Sequence, residues 1–182
     1  HPPKFIGFIT NYKKSKRYVN YEFLKKLTDK KKFKTNFVSV LVSPDEKILE
    51  KIKSLNFDYY QLYDVDPERT SHIKQKYNKK IISALTVETK EDINKYKLYK
   101  DISDIILFDG KGYEKSVGFD HKLLEDVPNN ITKMIAGNIQ IDNIPLIENT
   151  DYIIDLSGSL ENNEGKKDLK KINKLLNLVE QI

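Results

Sequence analysis

The sequence has no cysteine, which removes disulfides, thiolate metal sites and cysteine catalysis from its 182 residues. That absence fits a cytoplasmic protein. No apolar run approaches the roughly 20 residues of a membrane span, and none opens the chain as a signal peptide would. There is no Pro/Gly/Ser-rich linker and no low-complexity segment, so residues 1–182 are expected to form a single domain. His72 and His121 have no second histidine or carboxylate at ligand spacing, which favours surface or capping roles over metal binding. Position 1 is not methionine. The chain begins His1-Pro2-Pro3, and the expectation is that sequence upstream has been removed or left out.

Apolar residues make up 38% and charged residues 32%, an ordinary balance for a chain that folds around a core. The net charge of +5 admits a nucleic-acid surface or anionic small substrates. Lysines are spread along the whole chain beside many Ile, Asn and Tyr, which reads as solvated helix faces. The one dense basic run, Lys30-Lys31-Lys32 with Lys34, falls where a helix should end, and cations there complement the helix dipole.

Short β-rich runs alternate with amphipathic stretches from end to end: Phe5–Ile9, Phe37–Val42, Asp58–Leu62, Ile81–Leu85, Ile105–Phe108, Thr132–Ala136 and Tyr152–Leu156. They recur every 20–30 residues or so, the spacing of strand-helix units in a parallel sheet. Helix starts are legible between them. Ser43-Pro44-Asp45-Glu46 reads as a capping box with Pro at the first helical position, before the stripe Ile48, Leu49, Ile52, Leu55 and a stop at Asn56. Asp66-Pro67-Glu68 and Thr89-Lys90-Glu91-Asp92 open two more helices. Leu169, Ile172, Leu175, Leu176 and Val179 share one face of the last. Seven units suit an open doubly wound sheet or most of a (β/α)8 barrel, and period alone does not choose.

In a barrel the chemistry lies at the C-terminal strand ends. Those ends are rich in polar residues: Thr10-Asn11, Ser43, Gln61 to Asp64, Asp109-Gly110, Gly137-Asn138 and Asp155 to Ser159. Asp109 follows the apolar run Ile105–Phe108, whose burial should raise its pKa and suit it to general-acid work. A lone strand-end aspartate more often caps the following loop, so the residue alone does not carry the assignment. Gly137-Asn138 and Gly158-Ser159 end the last two strands, where small residues let backbone N–H groups approach an anion, and barrels commonly hold a phosphate in those loops. Either pair alone is a turn signal. Arg17, in the loop after the first run, offers a fork for a carboxylate, or is one more solvated cation beside Lys13, Lys14 and Lys16.

Taken in order, these segments resemble the phosphoribosylanthranilate isomerase family over nearly the whole chain. Lys4–Ile9 with Ser15-Lys16-Arg17-Tyr18-Val19 is similar to that family's second strand and Ser-x-Arg loop. Phe37–Val42, the helix Asp45–Leu55 and Asp58–Leu62 match its third unit and fourth strand. Ile105–Asp109 resembles its sixth strand and catalytic Asp. Gly118-Phe119-Asp120, Ala136-Gly137, Asp155-Leu156-Ser157-Gly158 and Gly165-Lys166-Lys167-Asp168 complete the pattern.

The resemblance implies a (β/α)8 TIM barrel, here with seven visible units. It also implies a cofactor-free Amadori rearrangement of N-(5-phosphoribosyl)anthranilate in tryptophan biosynthesis. Asp109 would be the general acid and Arg17 would hold the anthranilate carboxylate. Backbone N–H groups around Gly137, Asn138, Gly158 and Ser159 would hold the phosphate, and Asp155 and Ser157 would also bind substrate, with no metal, nucleic acid or membrane involved. Departures are visible: Tyr63 stands where the family has His, Asn138 replaces a Gly, Ser-Gly-Ser replaces Ser-Ser-Gly, and the loop after Asp109 is short. The family's base, a Cys on its first strand, has no counterpart, and the expectation is that this strand-helix unit lies outside the chain. Phe5–Ile9 and Tyr152–Leu156 should then face an empty slot. The alternatives are a phosphosugar-binding barrel without the base and a basic nucleic-acid-binding α/β domain.

Overall fold

The central apolar runs become strands because their side chains alternate between two buried faces, while the first and last runs are at most half-buried. The computed structural model describes residues 2–112, 117–147 and 151–180, so residues 113–116 of the loop after Asp109 lie outside the described residues. The strands are β1 (Phe5–Ile9), β2 (Asn36–Val42), β3 (Tyr59–Tyr63), β4 (Lys80–Val87), β5 (Ile105–Gly110), β6 (Lys133–Ala136) and β7 (Ile153–Ile154). All pairings are parallel and follow chain order from β1 to β7. A doubly wound sheet reverses its strand order at a switch point. This sheet never reverses, which resolves the alternative that strand spacing left open in favour of the barrel architecture.

Parity along the strands sorts the side chains. Val38, Tyr59, Ile82, Ile105, Leu107, Met134 and Ala136 pack together on one side, joined by Phe5, Val40, Tyr63, Ala84 and Ile153. The residues between them, Phe37, Leu41, Tyr60, Leu62, Ile81, Ile106, Phe108 and Ile135, pack under the helices in two further clusters. Extending the inner parity to the strand ends puts Gln61, Tyr63, Thr86, Asp109 and Asp155 on the inner face at its C-terminal rim.

The helices are α1 (Tyr21–Thr28), α2 (Glu46–Ile52), α3 (Pro67–Tyr77), α4 (Lys90–Asn94), α5 (Tyr96–Tyr99) and α6 (Leu169–Val179). Asp66 caps α3 by accepting from the Arg69 N–H at 2.8 Å with Pro67 at the first position, and the Asp92 carboxylate accepts from the Thr89 N–H at 3.1 Å. The α2 expectation is corrected. Asp45, not Ser43, is the cap, accepting from the Ile48 N–H at 2.8 Å, while Ser43 sits at φ 40° in the turn before it. The helix also ends at Ile52 rather than running to Leu55, although Leu55 is still buried beneath it. Among the described residues, the connections after β5 and β6 carry only 3₁₀ turns, His121–Leu124 and Ile141–Leu146. Pro145 lies inside the second, where its missing N–H blocks an α-helical ladder.

Among the described residues, the strand neighbour of β1 is β2 and that of β7 is β6, with one further bridge from Ile9 of β1 to Tyr18, so the two edge strands do not close on each other. The expected slot is present. No helix of the described residues is long and apolar enough to cross a membrane.

Candidate active site

The inner rim gathers an unusual concentration of buried oxygen. Asp109 projects from the end of β5, flanked in register by Thr86 of β4 and Ala136 of β6. Its Oδ2 accepts a hydrogen bond of 2.8 Å from the Tyr63 hydroxyl at the end of β3, which in turn accepts from the Gln61 amide at 3.3 Å. Its Oδ1 is buried and has no hydrogen-bond partner among the described residues. Burial is the main force on this carboxyl and pushes its pKa up to about 7. The Tyr63 hydrogen bond opposes that rise and the charge of Asp155 adds to it. Asp155 is itself raised by burial, partly offset by Lys167. Tyr63 is driven well above its ordinary value, first by burial and then by Asp109 and Asp155, so it stays a neutral donor. An aspartate that is half protonated near neutral pH can release a proton to a substrate at that pH.

On the far side of the rim, the loops after β1 and β7 meet. Arg17 donates through Nε and Nη2 to the two carboxylate oxygens of Glu161, the second bond measuring 3.1 Å. Lys16 and Lys167 each reach the same carboxylate at 3.2 Å, and the Glu161 side chain is only 5% exposed. Burial alone would raise Glu161, but hydrogen bonds from Arg17 and Lys167 outweigh it and hold the pKa at about 2. The guanidinium is therefore not a loose surface cation. It is clamped beside Gly158, where an added Cβ would lie 3.5 Å from Nη2.

The two expected phosphate loops follow adjacent strands, since β6 and β7 pair at Ile135 and Ile154. Gly137 takes φ 103°, and a Cβ there would fall 2.6 Å from the Gly110 nitrogen, so only glycine fits. Asn138 follows at φ 53°, and its side-chain and backbone oxygens accept from the Gln140 amide at 3.0 and 3.2 Å. Ser157 receives Lys167 on its carbonyl at 2.8 Å and on its hydroxyl at 3.2 Å, and a 3₁₀ turn starts at Gly158. Ser159 Oγ is buried with no hydrogen-bond partner among the described residues.

The structure thus brings Asp109 and Asp155 together with Tyr63, and Arg17 together with Gly158, Ser157 and Lys167 through Glu161. Gln61 and Tyr63 stood among the polar strand ends without an assigned role, and Glu161 was not among the expected site residues. Inner-face parity would have exposed the first two, but nothing local marks Glu161 as the partner of an arginine 144 positions away. Among the described residues no group of three or more His, Cys, Asp or Glu side chains could hold a metal ion. His72 lies in α3, and His121 opens a 3₁₀ turn against the Phe119 ring.

Comparison with known proteins converges on one family. The family model described as N-(5'-phosphoribosyl)anthranilate (PRA) isomerase matches residues 2–178. The N-(5'-phosphoribosyl)anthranilate isomerase of Rhizobium rhizogenes is 33% identical over 185 residues, covering 96% of this chain and 83% of that protein. The crystal structure of phosphoribosyl anthranilate isomerase from Thermotoga maritima superposes with a TM-score of 0.84 at 23% identity, covering 98% of this chain and 89% of the other. A phosphoribosyl anthranilate isomerase in complex with reduced 1-(o-carboxyphenylamino)-1-deoxyribulose 5-phosphate gives a TM-score of 0.83 at 22% identity, covering 98% and 88%.

Proposed function

The chain belongs to the N-(5'-phosphoribosyl)anthranilate isomerase family, and on that premise we infer that its rim catalyses the Amadori rearrangement of N-(5'-phosphoribosyl)anthranilate. The observation that carries the reading is Asp109, a buried carboxyl on the inner face with a pKa near 7 and one oxygen without a partner among the described residues. In the reaction its proton goes to the furanose ring oxygen and the C1–O bond breaks. The anilino nitrogen lone pair forms the Schiff base, and loss of the C2 proton then gives the enol-amine. Catalysis by one such acid accounts for about 10²–10⁴-fold in rate.

The substrate has two anions, and two parts of the rim suit them. The loops Gly137-Asn138 and Gly158-Ser159 would receive the phosphate on backbone N–H groups, and the unpartnered Ser159 hydroxyl supports this placement. Ser157 and Lys167 border the same loop, and Asp155 lies at its entrance. Arg17, whose guanidinium Glu161 orients through Nε and Nη2, would meet the anthranilate carboxylate. The proton at C2 needs a base, and we place it on a strand that would fill the slot between β1 and β7, where the family resemblance puts a cysteine-bearing first strand. Action in the cytoplasm belongs to the same reading.

Calorimetric titration with reduced 1-(o-carboxyphenylamino)-1-deoxyribulose 5-phosphate tests it. We expect binding that weakens by at least tenfold when the phosphate is removed from the ligand, and equal affinity for both forms would overturn the phosphate assignment. The departures from the family pattern at Tyr63 and Asn138 favour a second reading, a barrel that binds the phosphosugar without turning it over. Tight binding together with no turnover, even with the slot strand supplied, selects that alternative.

A further inference from the structure

The Gln61–Tyr63–Asp109 chain has a direction. The Gln61 amide nitrogen, 3.3 Å from the Tyr63 hydroxyl oxygen, can only donate, so the phenol oxygen accepts there. The single hydroxyl hydrogen is then turned to Asp109 Oδ2 at 2.8 Å. An oxygen accepting that bond acts as the carbonyl oxygen of the protonated acid, because the hydroxyl oxygen of a carboxylic acid is the weaker acceptor. We infer that Tyr63, anchored by Gln61, is a positioning residue that keeps the exchangeable proton of Asp109 on Oδ1. The inference deepens the reading of Asp109 as general acid and rests on it.

Oδ1 is the oxygen that is buried with no hydrogen-bond partner among the described residues. A buried O–H with no acceptor forfeits a hydrogen bond it would make in water, and that loss is recovered when a substrate ring oxygen arrives to take the proton. The partner-less oxygen thus marks the side from which the proton leaves. Among the described residues, the groups around this carboxyl are few. Tyr63 faces it from β3 and favours its ionised form, Asp155 faces it from beyond β7 and disfavours that form, and the flanking Thr86 and Ala136 are neutral. Lys167 acts on Asp155.

The test reads the carboxyl itself in this chain, independently of turnover. Infrared difference spectra across a pH titration follow the C=O stretch of the protonated acid, and Asp109→Asn identifies the band by abolishing it. With Tyr63→Phe, the hydrogen bond that stabilised the carboxylate is gone, so the midpoint should rise from about 7 by roughly one pH unit, a tenfold change in proton affinity. The C=O band should also move to higher frequency, because its oxygen has lost a donor. Gln61→Leu leaves the phenol in place without its anchor and should shift both in the same direction by less, which keeps the test available if Tyr63→Phe folds poorly. An unchanged or lowered midpoint, or an unmoved band, overturns the inference whatever the kinetics show. Undiminished turnover in Asp109→Asn would instead remove the general-acid reading while the Tyr63 coupling stood.

Discussion

Replacing Asp109 by asparagine should slow the reaction and, above neutral pH, strengthen the fold. The carboxyl has an ordinary pKa of 3.8 in an unfolded chain and about 7 in the folded one. Between those values the native state holds a proton that the unfolded state has lost, so stability falls as pH rises through that window. About three pH units at 1.36 kcal/mol each amount to roughly 4 kcal/mol lost from the wild type by pH 8. Asparagine never ionises and escapes that loss. It has a cost of its own: its amide oxygen can accept from Tyr63, but its NH₂ group then replaces Oδ1 and buries two hydrogens without acceptors where the protonated acid buries one, and the extra hydrogen costs about 1–3 kcal/mol. The balance is a variant that is more stable than the wild type by about 1–3 kcal/mol at pH 8 and less stable by a similar amount at pH 4. Thermal melts of both proteins at the two pH values read this directly, as shifts of roughly 2–10 °C that change sign. Asp155 titrates in both proteins and largely cancels. A melting difference that is the same at pH 4 and pH 8 would show that the carboxyl ionises normally and would sink the argument for a buried acid.

Other substitutions probe the rest of the rim. Gly137→Ala would force a Cβ to within 2.6 Å of the Gly110 nitrogen at φ 103°, and urea denaturation should show a loss of about 2 kcal/mol or more. Arg17→Lys cannot reproduce the fork that Glu161 grips, and calorimetry should show about tenfold weaker binding of the carboxylate-bearing product analogue. Glu161→Gln leaves Arg17, Lys16 and Lys167 crowded round a neutral amide and should cost about 1–3 kcal/mol at pH 7. Because the Glu161 pKa is lowered from 4.5 to about 2, that penalty should fade as pH falls between those values, and an acid-unfolding series would show whether it does.

Much of this arrangement is legible in the sequence for a plain reason: strand parity and strand order are local properties. The run Phe5–Ile9 is β1 as expected, and the apolar run before Asp109 does raise its pKa by burial. The strand expected over Tyr152–Leu156 shrinks to Ile153–Ile154, which pair with Met134 and Ile135 although β6 itself spans Lys133–Ala136. Tyr63 stood out in the sequence as one of several polar strand-end residues and as a departure from a pattern, with no role attached. Its role depends on the curvature that turns the ends of β3 and β5 toward a common centre, and periodicity carries no curvature. Glu161 was invisible as a site residue for a different reason. It sits in a polar stretch with Asn162, Asn163 and Glu164, and only the meeting of two loops singles it out.

That meeting also bears on the order in which the molecule assembles. Every strand pairing joins neighbouring units, with partners such as Val38 and Tyr59 or Ile6 and Phe37 a few tens of residues apart. The bond between Arg17 and Glu161 spans 144 residues. Loop-closure entropy grows only with the logarithm of length, yet the longer loop still costs roughly 1.5 kcal/mol more than closing one unit on the next. The sheet can therefore grow strand by strand from any starting pair, and the ionic clasp joins its two edges after the ladder between them exists. A contact made that late is absent from the folding transition state. Loosening it with Glu161→Gln should speed unfolding while leaving the folding rate nearly unchanged.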